Sequence, residues 1–187
     1  MTSNLNGADI LLNKYSVGKI AERIVMNELG VRGYQVTDLN KDGLRANADI
    51  LASKDGKVWQ IQVKGATNKP EGRWWVQYGH CDTEIINGKA KVFNRKKSFY
   101  TAQYVILVAV RSPSVYRCFV LPVEEAEKVA QLGLDRGYRE LRRDGGIHQP
   151  GKMWTVVEKS SRDRINDSRL DEERKILQAS ENCWDLR

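Results

Sequence analysis

The sequence predicts an α/β fold, a central mixed β-sheet flanked by helices. Three observations predict it. An amphipathic helix pattern leads the chain, alternating strand patterns with turn signals follow, and a continuous apolar run precedes a second helix. The chain has 187 residues, 41% hydrophobic and 29% charged. That composition excludes a disordered or fibrous chain, and the length suits one domain with its own core. A single domain over residues 1–187 is expected, with the core at about 14–132 and an extension at 133–187.

Residues 16–29 (SVGKIAERIVMNEL) carry the helical period, with Ile20, Ala21, Ile24 and Val25 on one face. Ser16 is expected to cap this helix, and Gly30 to end it in a left-handed conformation. Strands are predicted at 34–39, 48–53 and 58–64, with the turn signals Asp42-Gly43 and Asp55-Gly56 in the links. A further strand is expected at 73–78, and Asn87-Gly88 signals an inserted hairpin over 83–93. A short helix at 98–103 then leads into YVILVAV (104–110), which reads as a strand buried on both faces. Another strand follows at 116–121, and Pro122 opens a helix. After a looser stretch, a short strand is expected at 154–157 and a C-terminal helix at 170–186, with Leu170, Ile176 and Leu177 to pack.

No apolar run is long enough to span a membrane, and the polar start MTSNLNGADI lacks a signal-peptide core. Cys81, Cys118 and Cys183 are scattered and form no CxxC pair, so a zinc site and a disulfide framework are disfavoured and a cytoplasmic location is expected. The formal net charge is +7, and its distribution says more than its total. Residues 85–123 hold no Asp or Glu, yet carry Lys89, Lys91, Arg95, Lys96, Lys97, Arg111 and Arg117. Such a stretch suits a polyanion, because each neutralised phosphate releases counterions. It equally suits a hairpin kept soluble by its lysines. Lys89, Lys91, Arg95, Lys96 and Lys97 are the candidate nucleic-acid contacts.

The residues with chemical potential lie at 49–64. In VWQIQVK the side chains alternate across the pleat: Trp59, Ile61 and Val63 on one face, Gln60, Gln62 and Lys64 on the other. Polar groups on a buried sheet face cost free energy unless something polar stands opposite. Pairing through Asp55-Gly56 sets Ile50 opposite Ile61 and brings Asp49 to Gln62, so a carboxylate is available. Glu22 lies at the border of the apolar helix face, beside Gly18, Val25, Met26 and Leu29. On the residues alone, Lys64 also reads as a strand-end lysine, Gln62 as one of a cross-strand amide pair, and Glu22 as an ordinary helix-edge acid.

The helix with GKIAERIV, the Asp of ADI and the strand IQVK resemble the PD-(D/E)xK nuclease superfamily, which includes many restriction endonucleases and Holliday-junction resolvases. The resemblance covers about residues 16–64 and more loosely YVILVAV. It implies a restriction-endonuclease-like core in the order αβββαβ, here with an inserted hairpin and a C-terminal helix. It also implies that Glu22, Asp49, Gln62 and Lys64 form the catalytic site. Two positions depart from the pattern: Ala48 stands in place of the Pro, and Gln62 in place of the usual acid, a QxK variant that resembles the Mrr-like nucleases.

The implied activity is a metal-dependent DNA endonuclease of restriction, homing or resolvase type. Phosphodiester hydrolysis needs a hard cation on oxygen ligands, so Mg²⁺, with Mn²⁺ as substitute, is expected on Asp49, Gln62, the Val63 carbonyl and Glu22. Gln62 supplies no charge, which gives Glu22 greater weight. Lys64 is placed to help deprotonate water or to stabilise developing charge. DNA is the expected partner, and a homodimer suits a two-stranded substrate. The same residues also fit a catalytically inactive DNA-binding module of this fold, or a protein whose basic face meets another acidic partner.

Overall fold

Helix α1 (Lys14–Gly30) buries Val17, Ala21, Ile24, Val25 and Leu29, a single stripe at helical spacing. It belongs to a computed structural model that describes residues 14–40, 48–67, 73–77, 82–87, 89–93, 102–112, 114–137, 152–156 and 168–187. Ser16 lies inside α1 rather than at its cap, because the helix begins at Lys14. Gly30 is not the left-handed residue either. That role passes to Gly33, with φ 82°, and the Tyr34 N–H closes back on the Leu29 carbonyl at 3.1 Å. A chain leaving a helix commonly turns through one residue at positive φ, and Gly33 supplies it without a Cβ clash.

Strands β1 (Gln35–Asp38), β2 (Ile50–Lys54) and β3 (Lys57–Thr67) form an antiparallel meander. Asp55 and Gly56 have φ of 51° and 76°, the conformation of a two-residue hairpin turn. Ile50 pairs with Ile61, as that turn dictates. The Asp42-Gly43 signal lies outside the described residues. Next come β4 (Arg73–Gln77), the hairpin of β5 (Asp82–Ile86) and β6 (Lys89–Phe93), then β7 (Tyr104–Ser112) and β8 (Val115–Pro122). The main sheet has five strands in the order β1-β2-β3-β7-β8, with β3 parallel to β7 and its other pairs antiparallel. This mixed sheet with flanking helices fits the α/β class that the sequence predicts and the restriction-endonuclease-like core that the resemblance implies, and β3 is central.

Residues 104–110 are all buried, as expected of an apolar strand covered on both faces. One face packs on α1. The other holds Val105, Leu107, Phe119 and Leu121 against α2 (Val123–Gly137) and against α3 (Ser168–Ala179), and Leu177 of α3 is fully buried. β9 (Lys152–Val156) pairs with β4 in a separate two-stranded sheet.

Two helix expectations change. Ala102 and Gln103 form a bend, not the end of a helix at 98–103, whose remaining residues lie outside the described set. Gln103 is drawn to β3: its N–H donates to the Gln60 carbonyl, and its Oε1 accepts the Gln60 N–H at 2.6 Å. The helix expected at 170–186 ends at Ala179. Ser180 N–H folds back on Ile176 and Leu177, Asn182 takes φ 57°, and the tail runs beside β8. There Val120 N–H donates to Ser180, and Asn182 N–H donates to Cys118. Trp184 and Leu186 enter the core on the α1 side, because the outer edge of β8 offers the tail backbone partners that a continued helix would forgo.

Candidate active site

β3 outruns β2. Their ladder ends at Ile50–Ile61, while β3 continues to Thr67. The backbone donors on that edge then need another partner. Asp49 provides one. Its N–H donates to the Ile61 carbonyl at 2.9 Å, and its Oδ2 accepts the Val63 N–H at 2.7 Å. Its Oδ1 accepts from Asn40 Nδ2 at 3.1 Å. The Val63 carbonyl leaves the strand on the same edge as its N–H.

Gln62 and Lys64 alternate onto the face opposite Ile61, Val63 and Gly65. Gln62 Oε1 is buried and, among the described residues, meets no hydrogen-bond donor. A buried amide oxygen left unsatisfied costs about 1–3 kcal/mol, so this atom is an acceptor open to a hydrogen-bond donor or a cation. Burial lowers the Lys64 ammonium from its ordinary range, while the charges of Asp49 and Glu22 pull it back up.

Glu22 reaches this centre from the other layer. Its side chain is 14% exposed, and Oε2 accepts from Lys19 Nζ at 2.7 Å. Among the described residues, neither Glu22 nor Asp49 forms an ion pair with Lys64, so both act on it through space. The approach depends on Gly65. A Cβ there would lie 2.7 Å from the Ala21 Cβ and 2.9 Å from the Val17 carbonyl oxygen. Glycine inside a strand therefore lets α1 press onto β3.

The structure thus gathers Asp49, Gln62, Val63 and Lys64 on one strand end and brings the charge of Glu22 to bear on Lys64. Among the described residues no three His, Cys, Asp or Glu side chains cluster to hold a metal, so a cation here would depend on amide and carbonyl oxygens as well. Lys89 and Lys91 lie on β6, paired in register with Ile86 and Glu84. Arg95, Lys96 and Lys97 lie outside the described residues. Arg117 is engaged elsewhere: it grips Glu181 with two bonds of 2.7 and 2.9 Å and holds that carboxyl below its ordinary range.

Two contributors escaped the sequence reading. Gly65 had a signal, a glycine directly after an alternating strand. Asn40 had a weaker one, an Asn two residues beyond Asp38 in a turn-forming position.

No protein-family model matches the chain. A stretch of 54 residues is 41% identical to the UPF0102 protein TW312 of Tropheryma whipplei strain TW08/27. An equal length is 39% identical to a UPF0102 protein of strain Twist of the same organism. Each match takes in 29% of this chain and 45% of the relative, so the chain spans less than half the length of the curated relatives it matches. Among solved structures it is similar to the bacterial homing endonuclease I-Ssp6803I, at a TM-score of 0.44 and 12% identity, over 89% of this chain and 95% of that one. The chain's own mixed sheet and flanking helices define its fold class.

Proposed function

We propose that this chain is a metal-dependent DNA endonuclease that hydrolyses phosphodiester bonds. The observation that carries the reading is the buried Gln62 Oε1, without a hydrogen-bond partner among the described residues and one residue from the backbone amide that holds the Asp49 carboxylate. Oxygen donors of this kind suit Mg²⁺ or Mn²⁺, which Asp49, Gln62, the Val63 carbonyl and Glu22 would hold. A hard cation at such a site supplies Lewis acidity to a phosphoryl oxygen and acidifies water. Asp49 is the chief anionic ligand. Lys64, partly desolvated and flanked by two carboxylates, is suited to carry or accept a proton beside the phosphate. DNA as substrate, the basic residues of β6 and 95–97 as its contacts, a homodimer matched to a two-fold duplex and a cytoplasmic setting complete the proposal. Among the described residues no helix is long and apolar enough to cross a membrane.

The test is nicking of supercoiled plasmid with Mg²⁺ or Mn²⁺. Wild type is expected to cut, and Asp49→Ala to lose at least about a hundredfold of the rate, since even indirect disturbance of a metal ligand costs that order. Glu22→Gln is expected to raise the half-saturating Mg²⁺ concentration severalfold; no change would sink the idea that its charge compensates for Gln62. A second reading, a DNA-binding module without catalysis, is favoured by the neutral Gln62 and by the Lys19–Glu22 ion pair. It wins where wild type and Asp49→Ala are equally inert with every metal and gel shifts persist.

A further inference from the structure

Both oxygens of the Asp49 carboxylate are engaged, one by the backbone of β3 and the other by the side chain of Asn40. A carboxylate only accepts, so the amide facing Oδ1 presents its NH₂ group. That amide is itself held in place. Asn40 N–H donates to Asp38 Oδ1 at 2.9 Å, and Asp38 is the last residue of β1, paired with Ile50. Leu39 N–H donates to the Asp49 carbonyl at 3.0 Å, which ties the two segments together once more.

We infer that Asn40 is a positioning residue that fixes the plane of the Asp49 carboxylate for metal capture, an inference that rests on the hydrolytic reading of the site. With Val63 N–H alone, the carboxylate pivots about a single hydrogen bond. With Asn40 added, its two oxygens are anchored at separate points and rotation about the terminal side-chain bond is blocked. Each oxygen takes one donor and keeps a further lone pair for a cation. The chemistry of the anchor matters as much as its place. A lysine or arginine would orient the carboxylate but also neutralise it, and so compete with the cation. A neutral amide orients without spending charge, which a site with Gln62 in place of an acid can least lose. Groups that orient metal ligands in this way commonly govern affinity by about 10–100-fold.

Two measurements on the full chain test it. In metal-free protein, hydrogen exchange of the Val63 amide reports the bond to Asp49 directly. Asp49→Ala is expected to abolish the protection, and Asn40→Ala to lower it severalfold. Asn40→Asp keeps the shape and the backbone bond to Asp38 but presents no donor, so it should do no better than alanine, whereas a residue needed only for the turn would be served by either Asn or Asp. In the second measurement, Mn²⁺ is titrated by water-proton relaxation, and Asn40→Ala is expected to raise the half-saturating concentration about tenfold. Unchanged Val63 protection in both Asn40 variants overturns the inference, as does equal Mn²⁺ affinity in wild type and Asn40→Ala. A wild type that neither nicks DNA nor binds Mn²⁺ overturns the hydrolytic reading, and Asn40's part in metal capture with it. Loss of protection together with weakened Mn²⁺ binding supports both.

Discussion

Ala21 of α1 and Gly65 of β3 are packed so closely that no side chain fits between them: a methyl group on Gly65 would lie 2.7 Å from the Ala21 Cβ. Backbone stands behind that contact, in the Val17 carbonyl at 2.9 Å, so the helix itself must retreat to admit a larger residue. Gly65→Ala is therefore expected to destabilise the fold by about 1–3 kcal/mol, read from urea denaturation. It should also slow plasmid nicking at temperatures where the protein remains folded, because the displaced helix carries Glu22. An unchanged denaturation midpoint would show that the helix has room to give.

Lys64 should cost stability. Its unfolded ammonium keeps a proton up to 10.5, while burial makes the folded one release it earlier, against the pull of Asp49 and Glu22. Between the two values the unfolded state binds more protons, so stability rises with pH there, and below the folded value the cost is fully present. Lys64→Met, measured with chelator present, is expected to raise Tm at neutral pH by about 2–4 °C, the shift that about 1 kcal/mol produces in a chain of this size. Its advantage should shrink as pH approaches 10.5. The same variant should lose nicking activity. A lower Tm throughout would mean that the carboxylates outweigh the burial.

Cys118 behaves in the opposite sense. Burial pushes its thiol from 9.0 up to about 12. The unfolded thiol ionises first, so stability is fully present below 9.0 and declines as pH rises toward 12. Cys118→Ala should flatten that decline near its lower end. Alkylation gives a second check, since the thiolate is the reactive form. In a Cys81→Ser background at about pH 8, the exposed Cys183 should label quickly and Cys118 only on unfolding.

Trp184 is 4% exposed, and its Nε1 is buried without a hydrogen-bond partner among the described residues. Its ring lies beneath the Arg32 guanidinium, 5.1 Å from the centroid. Trp184→Ala is expected to cost about 3–5 kcal/mol. Trp184→Phe removes the unsatisfied donor while keeping an aromatic ring, and should fall within about 1.5 kcal/mol of wild type by urea denaturation. A Phe variant as damaged as the Ala variant would mean that the indole N–H is satisfied in solution.

The meander and its register were legible because Asp55-Gly56 permits essentially one hairpin geometry, and alternation then assigned Gln62 and Lys64 to a common face. The apolar run 104–110 announced a strand buried on both sides. What was hidden lay in contacts distant along the chain. Nothing local in ENCWDL says that it leaves a helix for the edge of β8; a free edge there decides it. β4 and β9 likewise find each other across many intervening residues. Asn40 was obscure for a related reason: a turn residue becomes part of a site only when the strand after it brings Asp49 alongside.

Gln62 and Lys64 lie on the face of β3 turned away from Ile61 and Val63, whereas Glu22 belongs to α1, which packs on the Ile61 and Val63 side. The candidate centre consequently joins a carboxylate carried by α1 to groups on the far face of the sheet. A chain in which α1 is not docked, whether newly made or partly unfolded, has the strand but not the full set of charges. On the hydrolytic reading, folding acts as a safety catch. An enzyme able to break DNA would become competent only after α1 closes on the sheet, and harmless again as soon as it lifts.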